Sequence, residues 1–104
     1  MDLVTVHVRL YGELSCYGKV THHTGKYSTI DVKLSVGSTL KDLLDYLLMC
    51  TNERGFTFIN GLISAIPNHQ MDLNHVLNDG DQILFFPYKM LPTALQFDLY
   101  SLYE

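Results

Sequence analysis

The residues able to do chemistry in this chain are few: two cysteines, five histidines, and Asp79 and Asp81 on either side of Gly80. A cysteine nucleophile needs a base or cation beside it to lower its pKa. Cys16 has Lys19 as its nearest cation in sequence, and Cys50 follows an apolar helical stripe, where a helix dipole raises a thiol pKa. The two lack C-x-x-C spacing and are too few for a disulfide framework, so reduced structural thiols are expected. Imidazoles bind zinc and copper. Here His22 and His23 are adjacent, His7 lies on the outward side of a strand pattern, and His69 and His75 have no cysteine near them. No metal, cofactor or catalytic residue is therefore expected. An iron–sulfur cluster needs about four cysteine ligands, more than the chain contains. Asp79 and Asp81 fit a turn in which carboxylates accept backbone hydrogen bonds.

With 104 residues the chain makes one domain, large enough for a sheet packed on a helix. Seven basic and eleven acidic residues give a net charge of −4, and the cations Arg9, Lys19, Lys26, Lys33, Lys41, Arg54 and Lys89 are scattered. Nucleic-acid binding requires clustered cations, so a protein is the expected partner. No apolar run approaches the roughly 18 residues of a membrane span. The start of the chain carries neither a basic leader nor a small-residue cleavage site, which places the protein in the cytoplasm.

Hydrophobic periodicity supplies the elements. Val4, Val6, Val8 and Leu10 alternate with Thr5, His7 and Arg9, the pattern of a strand with one buried face. Ile30, Val32 and Leu34 repeat it over 28–34, so the two strands are expected to form a hairpin with a long loop at 11–26. Thr39 and Asp42 provide a capping pair for a helix whose apolar stripe is Leu40, Leu43, Leu44, Leu47 and Leu48. Residues 56–66 read as strand, Asn60-Gly61 turn and short returning strand. Residues 78–81 form a turn feeding a last strand at 82–86. A long crossover puts that strand beside and parallel to the first.

The segments Val6-His7-Val8-Arg9-Leu10-Tyr11-Gly12, Gly37-Ser38-Thr39-Leu40-Lys41-Asp42-Leu43-Leu44, Ile59-Asn60-Gly61 and the stretch 77–87 resemble, in order and spacing, the sulfur-carrier family of the small molybdopterin synthase subunit and the thiamine sulfur carrier. The resemblance implies an α+β, ubiquitin-like β-grasp fold over 1–90. Its mixed sheet of four or five strands would pack on one main helix, with a C-terminal extension at 91–104. Family members act through a C-terminal Gly-Gly that an adenylating enzyme activates for thiocarboxylate formation. Residues 88–104 contain no glycine pair, so the expected function is a non-catalytic protein-interaction module. The alternative is a sulfur carrier of molybdenum, tungsten or thiamine cofactor biosynthesis with an atypical end.

The resemblance also implies a docking face for an adenylating or cofactor-biosynthesis enzyme. With Ile83 and Phe85 directed to the core, Leu84, Phe86 and Tyr88 alternate outward, next to Thr5, His7 and Arg9. Outward apolar residues on a central strand mark either a partner site or a surface covered from within. Leu95, Phe97 and Leu99 alternate in the tail, which suits an added strand, a cover for this face, or a homodimer contact.

Overall fold

The computed structural model describes residues 2–21 and 27–88; the expectations for 91–104 lie outside them. The described residues form an α+β fold. Its strands are β1 (Leu3–Tyr11), β2 (Val20–Thr21), β3 (Tyr27–Ser35), β4 (Arg54–Ile59), β5 (Leu62–Ala65) and β6 (Gln82–Pro87), with one α-helix, α1 (Leu40–Leu47). They make a mixed sheet in the order β2-β3-β1-β6-β4-β5. β1 and β3 pair antiparallel from Leu3↔Ser35 to Tyr11↔Tyr27, as the matching alternation demands. β6 runs parallel to β1, with Val8 opposite Ile83 and Leu10 opposite Phe85, and antiparallel to β4. The additional strand is β2, two residues inside the long loop that pair with the end of β3. The same loop carries a 3₁₀ turn, Gly12–Tyr17, whose Leu14 is buried.

One sheet face is covered by α1. Thr39 and Asp42 cap it reciprocally: the Asp42 carboxylate accepts from the Thr39 N–H at 2.8 Å and the Thr39 hydroxyl accepts from the Asp42 N–H at 3.4 Å. The next free N–H groups, of Leu40 and Lys41, donate to the carbonyls of His75 and Leu73. The segment before β6 thereby closes the helix N-terminus that side-chain caps alone leave open. Leu40, Leu43, Leu44 and Leu47 pack against Val6, Val8, Leu10, Val32, Ile59, Ile83 and Phe85. Each buried leucine contributes about 1.5–3 kcal/mol, which makes this stripe the main clamp on the sheet. Leu48, expected in the stripe, is 84% exposed. It takes a left-handed conformation (φ 60°) that ends the helix and turns its side chain outward, while Met49 tucks into the core instead. Cys50 then opens a second 3₁₀ turn, Thr51–Glu53, rather than closing the helix. Both thiols are exposed and form no disulfide with each other.

The β4–β5 hairpin turns at Asn60-Gly61 with φ of 52° and 84°, the positive pair that a two-residue hairpin needs. At the other end of β4, a side chain on Gly55 would meet the Pro87 carbonyl oxygen at 2.8 Å, so glycine lets β4 close on the end of β6. The first residue of β4 carries a buried ion pair. Arg54 Nη1 and Nη2 donate to Asp72 Oδ2 and Oδ1 at 2.8 and 2.5 Å. Nη1 also donates to the Thr57 hydroxyl and Nη2 to Gln70 Oε1, and the Ser64 hydroxyl donates to Asp72 at 2.7 Å. The register shift in β5 leaves Ser64 as the extra residue between Ile63 and Ala65, which is how its hydroxyl reaches that carboxylate. Arg54 Nε is left without a partner.

The Tyr17 hydroxyl donates to Glu53 Oε1 at 2.6 Å, and Glu53 Oε2 accepts from the Cys50 N–H at 2.7 Å, so one carboxylate ties the loop to the chain after the helix. The bond to Glu53, reinforced by burial and by the adjacent negative charge, pushes the Tyr17 phenol up to about 12.

Both contacts can be tested by substitution. Arg54→Met or Asp72→Asn alone strands the other group in the interior and should cost about 3–5 kcal/mol in urea unfolding, whereas Arg54→Met with Asp72→Leu should cost much less. Equal losses from single and double variants would count against a buried, bidentate pair. For Tyr17 the raised folded pKa means stability present below the unfolded value of about 10 and lost as pH rises through about 12. An absorbance titration should show one tyrosine ionising near pH 12 that disappears in Tyr17→Phe, and the stability gap between the two proteins should close across that interval.

Candidate protein-binding face

The sheet face opposite α1 divides into an aromatic end and a polar end. At the aromatic end Phe58 and Phe86 form a second buried cluster, with Tyr11, Phe56 and Leu84 packed against it. The Tyr11 ring stacks on Phe86 at 4.3 Å with 6° between planes, and Phe58 meets Phe86 edge-on at 5.8 Å. Such pairs add about 0.5–1.5 kcal/mol to the area they bury. Alternation places Phe86 on this face as expected, yet it is only 5% exposed. The expectation that it offers open apolar surface is corrected by Tyr11 and Phe58, which lie over it. Tyr11 is the last residue of β1, one step of the alternation beyond Arg9, where the expected outward set ended.

At the polar end, β1 and β6 bring His7 beside Gln82 and Arg9 beside Leu84. These residues, with Thr29 and Asp31 of β3, line a shallow depression of about 420 Å³. His7 Nδ1 lies 2.8 Å from Asp31 Oδ1, both half or more exposed, so water screens the pair and its worth to stability is small. Arg9 Nη1 donates to the Tyr11 hydroxyl at 3.3 Å, and its guanidinium sits 4.8 Å from the centre of the Tyr27 ring. The Tyr11 bond holds the Arg9 guanidinium above its ordinary range against the opposing effect of burial. Arg9 is thereby fixed in place at the border of the two ends, charged and exposed.

Thr5 lies further along β1 and is half-buried. Its backbone is engaged by the turn before β6: the Thr5 N–H donates to Asp79 Oδ1 and its carbonyl accepts from the Gly80 N–H, each at 2.8 Å. Asp79 thus accepts a backbone hydrogen bond as its sequence context implied. So does Asp81, from the Asn78 N–H at 2.8 Å. Tyr88 stands apart from the others. Its hydroxyl accepts from Asn68 Nδ2 at 2.7 Å, beyond the end of β5, so it joins the far rim of the sheet rather than the depression. The structure therefore gathers His7, Arg9 and Leu84, adds Thr29, Asp31 and Gln82, and separates Tyr88.

The face thus combines a packed aromatic cluster at one end, a half-buried leucine, and exposed donors and acceptors at the other. Among the described residues no group of three or more His, Cys, Asp or Glu side chains is placed to hold a metal ion.

No family model matches the chain, and no curated protein matches it. The solution structure of the Haloferax volcanii HVO 2177 protein is similar to it, with a TM-score of 0.59, 17% sequence identity, and coverage of 86% of this chain and 88% of that one. At that identity the likeness is one of fold. It supports the α+β architecture across most of both chains.

Phe86→Ala removes the centre of the aromatic end and should lower stability by about 3–5 kcal/mol. A loss below about 1 kcal/mol in chemical unfolding would mean that the cluster is surface decoration, of the kind whose replacement is nearly neutral.

Proposed function

We propose that the chain is a non-catalytic, ubiquitin-like β-grasp interaction module that engages a protein partner through the sheet face bearing His7, Arg9 and Leu84. The observation carrying this reading is the depression at the polar end, where side chains from three neighbouring strands meet next to a buried aromatic cluster. Further support comes from the antiparallel β1–β3 hairpin, the capped helix, and β6 lying parallel to β1 between the two hairpins. That order is the one expected of relatives of the small molybdopterin synthase subunit and the thiamine sulfur carrier, whose partners are adenylating and cofactor-biosynthesis enzymes. On this reading the module binds such an enzyme without undergoing its chemistry.

The depression mixes Arg9, Asp31 and His7 over a small area, a pattern that selects a partner by complementary charge more than by apolar area. Arg9→Glu reverses the fixed charge at its border without touching the core. Lys41→Glu does the same on the exposed side of α1, away from this face. Tagged protein carrying Lys41→Glu should retain from native extract the same enzyme as the unaltered chain, and Arg9→Glu should retain about tenfold less, equivalent to about 1.4 kcal/mol. Equal recovery by both variants would remove this face from the contact. Incubation with the recovered enzyme, ATP and a sulfur donor should leave the module's mass unchanged; exchange of one oxygen for sulfur would replace the proposal with a carrier function.

A further inference from the structure

The Asn60-Gly61 turn carries a chemistry that its role in the hairpin does not use. Its asparagine is the one in the chain followed by glycine. Both ends of the Asn60 amide are engaged: Nδ2 donates to Asp81 Oδ1 at 2.9 Å and Oδ1 accepts from the Gln82 N–H at 2.9 Å. The Asn60 N–H in turn donates to the Gln82 carbonyl at 2.8 Å. The side chain thus imitates a peptide group and latches the tip of the β4–β5 hairpin to the start of β6. Asp81, 6% exposed, accepts from the Asn78 N–H with its other oxygen.

We propose that Asn60-Gly61 is a spontaneous deamidation site held in check by this latch, and that its modification releases the hairpin tip from β6. In the reaction the Gly61 nitrogen gives up its proton and attacks Cγ of Asn60, a C–N bond forms, and the Cγ–Nδ2 bond breaks as Nδ2 takes up one proton and leaves as ammonia. Water then opens the five-membered imide at either carbonyl, giving aspartate or isoaspartate at position 60. No oxidant or cofactor is required. Glycine leaves the attacking nitrogen unshielded, and nothing lies within 4 Å of the place a Gly61 side chain would occupy. Both residues are exposed, and Asn60 lines a surface depression of about 550 Å³, which gives water access to the imide.

In the native state the amide presents Cγ to Gly61 only after the bonds to Asp81 and Gln82 break, so the reaction waits on local opening. Afterwards the donor facing Asp81 is gone. A carboxylate at position 60 brings a second negative charge to within hydrogen-bonding distance of Asp81, and an isoaspartate also adds a backbone atom to a two-residue turn.

The test has two arms. Peptide mapping by mass spectrometry during incubation at mildly alkaline pH should show conversion at Asn60 at least about tenfold faster in the urea-unfolded chain than in the native one, because only opened states react. Isomerisation at Asp79-Gly80 loses one water on closing its imide and regains it on opening, so an amide-to-acid gain mapped to the peptide holding Asn60 reports on that residue. In the second arm, Asn60→Asp should lower the unfolding midpoint at pH 7. The deficit should shrink as pH falls toward about 4, where one carboxyl of the pair keeps its proton. Asn60→Asp combined with Asp81→Asn restores one amide facing one carboxylate and should recover most of the midpoint. Equal conversion rates in native and unfolded chains would overturn the protective latch, and a double variant no more stable than Asn60→Asp would overturn the role of Asp81.

Discussion

The parallel pairing of β6 with β1 is the constraint from which both faces of this protein derive. β6 lies between two hairpins, and its residues alternate between them: Ile83 and Phe85 join the core under α1, while Leu84 and Phe86 join the opposite face. A one-residue slip would exchange the two sets. The register is pinned at the start of β6, where the turn at 78–81 bonds the backbone of Thr5 and His7 on one side and the side-chain amide of Asn60 on the other. Asp79 and Asp81 therefore do for the sheet what Thr39 and Asp42 do for the helix, converting free backbone donors into fixed geometry.

The interior also contains a charge that the hydrophobic core does not need. Taking Arg54 and Asp72 out of water is costly, and the bidentate contact offsets that cost only because Thr57, Gln70 and Ser64 satisfy most of the remaining polar atoms. What the network adds is position. Asp72 belongs to the segment whose carbonyls, at Leu73 and His75, close the N-terminus of α1. Arg54 is the first residue of β4. The ion pair thus couples the helix cap to the inner edge of the second hairpin across eighteen residues of sequence, a coupling that apolar packing would leave free to slide.

Much of the frame was legible because periodicity and capping are local. Val4 to Leu10, the Thr39 cap and the Asn60-Gly61 turn each carry their instruction within a few residues, and each sits where that instruction put it. Leu48 escaped because its backbone, ending the helix in a left-handed conformation, overrode a stripe that continued past the helix. The Arg54 network escaped because its members are spread over 54–72 and meet only through the fold. One trace of it was present: residues 55–71 contain no Asp, Glu, Lys or Arg, which isolates Arg54 at the head of an otherwise uncharged hairpin. Leu14 was hidden in a glycine-bearing loop with no period to follow. For the candidate face, alternation found its orientation but not its covering, since the stacking of Tyr11 on Phe86 joins residues 75 positions apart.

That covering changes the kind of contact the face can make. An exposed Phe86 would offer a central apolar anchor, the usual source of slow dissociation. With Phe86 beneath Tyr11, the accessible groups nearby are His7, Arg9, Asp31 and Gln82, and Leu84 is only partly open. Exposed charges act at a distance before contact and are screened over about 8 Å at physiological salt. On the proposed reading, the face therefore steers and orients a partner more than it grips one. The affinity of such a contact falls with ionic strength chiefly through slower association. The buried aromatic end then contributes rigidity instead of grip. It packs the ends of β1 and β6 together, next to the strand position from which Arg9 reaches over Tyr27.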